Sequence, residues 1–187
     1  MNLEELAIQV LAAVEATEVP FMAVGAIAAG AYGVPRSTRD VDLLVSVHTG
    51  GGIRAVMRAL DHLLEFDPQP QFDTLTWGRR QIGTTFEKPT MKVELFELFD
   101  DPFVQEEFRR RQRIFVPLLQ LYTWLPTAED VVVQKLRWGR SKDLDDARDV
   151  LAVQGTDALD MAYIRRWCAL HGTMERLEKA LAGIPPM

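Results

Sequence analysis

Leu3, Leu6, Ala7, Val10, Leu11 and Val14 recur three and four residues apart, which predicts an amphipathic first helix that ends before Pro20. The apolar residues 21–24 predict a short buried strand broken by Gly25, and the alanine-rich stretch 26–32 predicts a helix that Gly33-Val34-Pro35 stops. A strand over 40–47 follows, then a glycine turn at 50–52, a helix over about 53–64, and strands near 72–77, 81–86 and 91–98. Past residue 100 the period becomes helical, over 103–113, 127–138, 141–153, 161–170 and 174–181, with a short strand at 114–116. The pattern predicts an α+β fold. A mixed β-sheet core over residues 1–116 is flanked by helices, and a helical C-terminal region over 117–187 packs on it.

Composition narrows this. With 48% hydrophobic and 26% charged residues in 187, the chain can bury a sizeable core. The net charge of −6 falls entirely on residues 1–100, which carry 14 acids and 8 bases, and it argues against a general nucleic-acid coat. The single cysteine, Cys168, excludes an internal disulfide and follows Trp167 in an apolar helical pattern, so it reads as a buried structural thiol. Glu4 and Glu5 stand where a leader peptide would need basic residues, and the longest apolar stretch, 21–32, is too short and glycine-rich to span a bilayer. The expectation is a cytoplasmic protein with no membrane partner.

Two acids stand out against the apolar pattern. Asp40 and Asp42 sit one residue apart at the head of the run Val41, Leu43, Leu44, Val45. Side chains alternate along a strand, so both carboxylates project to one face with Cα atoms roughly 6.5–7 Å apart. Crowding like charges is costly unless a cation offsets it, and a hard ion such as Mg²⁺ suits oxygen donors. Gly25, between strand and helix, lets backbone N–H groups approach a phosphate. That spacing alone suits a nuclease or a phosphatase as well as a transferase.

Gly25-Ala26 followed by a short helix, then Arg36-Ser37-Thr38-Arg39-Asp40-Val41-Asp42-Leu43, resembles the nucleotidyltransferase superfamily with the DNA polymerase β-like fold. The Arg36-x-Thr38-x-Asp40-x-Asp42 spacing is similar to the AbiEii-type toxin branch of minimal nucleotidyltransferases. Pro126-Thr127-Ala128-Glu129-Asp130, Lys135-Leu136 and Lys142-Asp143-Leu144-Asp145-Asp146 are similar to that branch's second block, so the resemblance spans residues 20–155. One departure is Ala26, which stands where the family has Ser or a second Gly and so lacks a hydroxyl for the nucleotide phosphates.

The resemblance implies a third carboxylate on a neighbouring strand. Val93 and Leu95 read as buried, which puts Glu94 on the opposite face and Glu97 with the buried set, so Glu94 is the choice. Asp40, Asp42 and Glu94 would then be the catalytic and metal-binding acids for two Mg²⁺ ions, with Mn²⁺ the alternative. Gly25, Ala26, Arg36, Thr38, Lys135, Lys142, Asp143 and Asp146 would surround the substrate phosphates; for Lys142 the bland alternative is a surface pair with Asp146. The implied reaction moves an NMP from an NTP to an acceptor hydroxyl on tRNA or other RNA, a protein or a small molecule. A toxin of this kind would have an antitoxin protein as partner. The alternative is a catalytically weak nucleotide-binding or protein-interaction module. Arg109-Arg110-Arg111-Gln112-Arg113 reads as a solvated helix end before an RNA track. Trp77, Trp124, Trp138 and Trp167 read as core or interface aromatics, and His48, His62 and His171 carry no ligand spacing.

Overall fold

The structure, a computed structural model, describes residues 1–47, 51–73, 78–87 and 90–184. Asn2 opens the first helix with a capping box: its side chain accepts the Glu5 N–H while the Glu5 carboxylate accepts its own. In chain order the first half holds α1 (Leu3–Glu15), β1 (Phe21–Ala23), α2 (Gly25–Tyr32), β2 (Asp40–Val45), α3 (Gly52–Leu60), β3 (Leu64–Phe66), β4 (Gln71–Asp73), β5 (Gly78–Thr85) and β6 (Lys92–Glu97). These strands form one sheet in the order β1-β2-β6-β5-β3, with β4 also pairing β5. Among the described residues only the β2–β6 pair of this sheet is parallel; the other pairs are antiparallel. A parallel pair needs a long crossover, and α3 with strands β3 to β5 provides it.

Alternation sorts the two central strands. Val41, Leu43 and Val45 on β2 and Val93 and Leu95 on β6 are completely buried on one face. The opposite face carries Asp40, Asp42 and Leu44 beside Lys92, Glu94 and Phe96, in register across the parallel pair. The acids stay on the accessible side because shifting either strand by one residue would bury them and expose the valines and leucines.

The second half runs through α4 (Pro102–Arg110), the antiparallel pair β7 (Gln112–Val116) and β8 (Leu121–Leu125), α5 (Ala128–Trp138), α6 (Ser141–Gln154), α7 (Met161–His171) and α8 (Met174–Ala182). α5 packs on α6 and α7, and α2 packs on both α5 and α6. Hydrophobic residues of α1, the sheet and α4 to α8 belong to one continuous cluster. Buried Asp130 accepts hydrogen bonds from Tyr163 Oη (2.5 Å), Thr127 Oγ1 (2.7 Å) and Arg110 Nε (3.1 Å), which ties α5, α7 and α4 together.

Several elements depart from expectation. The helix placed over 103–113 ends at Arg110, because Gln112 and Arg113 pair with β8 as the start of β7. β8 lies inside the region 117–187 expected to be helical, in a stretch to which the pattern assigns no element; its five residues alternate in burial, a signal too short to read beside the longer helical pattern. The helix placed over 53–64 ends at Leu60, and Leu64 begins β3. The strand placed at 72–77 begins as β4, and its residues 74–77, with Trp77, lie outside the described residues, as does His48. Among the described residues, no helix is long and apolar enough to cross a membrane.

Candidate active site

β1 hands the chain directly to α2 at the head of β2. The Val24 N–H donates to the Asp42 carbonyl at 2.9 Å, and Gly25 then turns with φ +64°, a conformation that suits glycine. A Cβ on Gly25 would lie 2.0 Å from Asp42 Oδ2, so the carboxylate closes directly on the glycine. Val24 caps the helix without a side-chain hydrogen bond, so the N-terminal N–H groups of α2 are left to other partners beside that carboxylate. Gly25→Ala should therefore displace Asp42. The expected result is a loss of about 2–4 kcal/mol in urea unfolding from the clash and the positive φ together. Unchanged stability would mean that the turn does not need glycine.

The structure brings Gly25, Ala26, Thr38, Asp40, Asp42 and Glu94 into one cleft, faced by Arg36, Lys135 and Lys142. Asp42 lies directly opposite Glu94 across the parallel strand pair. Burial, then the neighbouring charges of Glu94 and Asp40, push the Asp42 carboxyl up to about 7, against the pull of Lys135 and Lys142.

Asp143 and Asp146 do not line the cleft; they are buried behind it as anchors for its cations. Lys135 Nζ lies 2.7 Å from Asp146 Oδ2 and 3.4 Å from Asp143 Oδ1. Arg36 grips Asp146 with both Nε (2.8 Å) and Nη2 (3.1 Å), and Arg140 does the same to Asp143 (2.6 and 3.2 Å). Burial raises the Asp146 carboxyl, but the hydrogen bonds from Arg36 and Lys135 outweigh it and hold the group below its ordinary value. The surface pair of Lys142 with Asp146 does not form, since Asp146 turns inward to these partners. Lys142 stays exposed at the cleft.

Four lining residues escaped the sequence reading: Arg80, Phe96, Trp138 and Arg140. Arg80 Nη1 lies 2.8 Å from Glu94 Oε2. Trp138 sits under two cations, with Lys135 Nζ 5.3 Å and the Arg140 guanidinium 5.4 Å from its ring centroid. Its place at the end of α5, one turn past Lys135, was the available signal. The basic run disperses rather than forming a track. Arg109 pairs with Glu106, Arg110 with Asp130, and Arg113 with Glu15, while Arg111 stacks over Phe108. Trp167 is a core aromatic against Phe103, and Cys168 is buried with its thiol pushed up by burial.

The donor set of the cleft is all carboxylate oxygen, which suits a hard ion such as Mg²⁺ or Mn²⁺. A buried, repelled carboxylate beside a second one is also the environment a cation would relieve. Among the described residues, however, no three His, Cys, Asp or Glu side chains are gathered as a ready metal cluster.

No family model matches the chain, and no curated protein matches it. Solved structures do. The chain is similar to the solution structure of the antibiotic-resistance factor ANT(2'')-Ia, with a TM-score of 0.59, 14% identity, and coverage of 90% of this chain and 95% of that one. The crystal structure of ANT(2'')-Ia in complex with adenylyl-2''-tobramycin also gives 0.59 and 14%, covering 92% and 98%. An antigenic nucleotidyltransferase-like protein from Paracoccidioides brasiliensis gives 0.56 and 18%, covering 98% and 94%. The fold of this chain is that of the nucleotidyltransferases.

Proposed function

We propose that this chain is a divalent-metal-dependent nucleotidyltransferase that moves an NMP from an NTP to an acceptor hydroxyl. One observation carries the reading: Asp42 stands opposite Glu94 on adjacent parallel strands, with the N-terminus of an eight-residue helix closing on its carboxylate at Gly25. Asp40 and Asp42 would hold the metal, which when bound supplies charge for the triphosphate and acidifies an attacking hydroxyl. The α2 N-terminus, Lys142 and Arg140, which line or border the cleft, would face the negative charge that builds on the departing pyrophosphate. Glu94 would receive the hydroxyl proton or complete a second ion site. In the step, the acceptor oxygen bonds the α-phosphorus, its proton leaves, and the bond to the β-phosphate oxygen breaks with its electron pair.

The acceptor can be RNA, protein or a small molecule. The Arg36–Asp42 segment favours tRNA, through its likeness to AbiEii-type toxins with an antitoxin partner. ANT(2'')-Ia, bound to adenylyl-2''-tobramycin, supports a small hydroxylated acceptor on the same fold. The deciding experiment incubates the chain with Mg²⁺ and each labelled NTP in the presence of total RNA, lysate protein or a panel of small alcohols. Label transfer with pyrophosphate release, lost in the Asp40→Asn/Asp42→Asn double variant, supports the reading. Absence of NTP binding in Mg²⁺ would sink it.

Ala26 favours a second reading, a catalytically weak nucleotide-binding module, because no hydroxyl at that position reaches the phosphates. Ala26→Ser should tighten NTP binding by about three- to tenfold, the worth of one added hydrogen bond, as read by titration calorimetry. Binding without pyrophosphate release across all acceptors would favour the module.

A further inference from the structure

The three cleft carboxylates are not equivalent. Asp40 and Asp42 stand together on β2, whereas Glu94, on β6, is already held by a cation from β5. In the β5–β6 register Ile82 lies opposite Glu94 and Arg80 opposite Phe96. Arg80 therefore shares the face of Glu94 and reaches it diagonally, with Nη1 2.8 Å from Oε2. The pair is 24% and 15% exposed, enclosed enough for its charge to be weakly screened. The Arg80 guanidinium also lies 5.9 Å from the Phe96 ring centroid. Its Nε–H is buried without a partner, whereas the residue itself lines the cleft, so the guanidinium charge faces an anion there. A divalent ion brought onto Glu94 would meet this fixed charge at contact distance, and no three-acid cluster is gathered among the described residues.

The geometry points to Arg80 as the occupant of the second cation position: the cleft takes one divalent ion, on Asp40 and Asp42, and Arg80 supplies the remaining positive charge through Glu94 while presenting that charge to the phosphate chain. This rests on the transferase reading of the same cleft. It removes Glu94 from the metal and leaves it to the acceptor proton.

Counting bound Mn²⁺ by electron paramagnetic resonance on the metal-free full chain, with a non-hydrolysable NTP analogue present, tests it. The unmodified chain should bind one Mn²⁺. Asp42→Asn should lose it by tenfold or more in affinity, whereas Glu94→Gln should stay within about twofold. Arg80→Gln should admit a second ion, and Arg80→Lys, which keeps the charge, should still bind one. In EDTA, Arg80→Gln should weaken binding of inorganic tripolyphosphate by about tenfold, the loss of one charge-assisted hydrogen bond. Two ions on the unmodified chain, one ion on folded Arg80→Gln, or a Glu94→Gln loss equal to that of Asp42→Asn would overturn the single-ion assignment alone. No Mn²⁺ binding at all would overturn the metal-dependent transferase reading beneath it.

Discussion

Asp42→Asn should abolish nucleotidyl transfer and yet give a protein more stable at pH 8 than the unmodified chain. The activity side follows from the position of Asp42 at the centre of the cleft, opposite Glu94 and against Gly25; removing its charge should cost about 10³-fold or more in turnover. The stability side follows from the cost of holding that charge. Its carboxyl is pushed up to about 7 by burial and by Glu94 and Asp40, whereas an unfolded aspartate titrates near about 3.9. The folded state thus holds its proton to higher pH than the unfolded state. Native stability is unaffected by this group below the unfolded value and is lost as pH rises from about 4 through about 7. In metal-free buffer the loss is on the order of 2–4 kcal/mol at pH 8, and asparagine removes it. Urea unfolding at pH 4.5 and pH 8 reads the effect directly. A variant no more stable than the parent at pH 8 would show that the Asp42 charge is not strained.

Lys135→Met should be among the most destabilising single changes in the chain. The ammonium is buried between Asp146 and Asp143, both themselves buried, and its loss leaves two acids facing each other, with Arg36 and Arg140 as their remaining ion-pair partners among the described residues. Removing one member of such a cluster costs about 3–5 kcal/mol, because an uncompensated charge stays in a low-dielectric site. Asp146, held below its ordinary value, contributes stability that is present above the unfolded carboxylate range and disappears as pH falls through its folded value. The Lys135→Met chain should therefore lose much of its acid sensitivity along with its stability. Adding Asp146→Leu should return part of the loss, since it removes the orphaned acid. Equal unfolding midpoints for Lys135→Met and the unmodified chain would show that the cluster is solvated rather than buried.

The acidic strand was legible because its two signals agree. Asp40 and Asp42 alternate with Val41, Leu43 and Val45, and the same period on 92–97 separates Glu94 from Val93 and Leu95. Local period is enough to assign faces. It does not give register, and so the diagonal contact of Arg80 with Glu94 was out of reach: it depends on how β5 slides against β6, with the strand opening at Gly78 instead of residue 81. Asp143 and Asp146 were hard to place for a different reason. Acids at the start of a helix usually face solvent, and only the packing of α6 on α5 reveals that these two turn inward to Lys135. Arg110 likewise belongs to a dense basic run by sequence, while its role is set by Asp130, 20 residues further on.

Asp146 has one more consequence. Its two oxygens grip Arg36, from the segment entering β2, and Lys135, from α5, so two separate elements of the cation-bearing side of the cleft are bolted to a single carboxylate. That side of the cleft is consequently set before any ligand arrives, and loading should proceed with little hinge motion there.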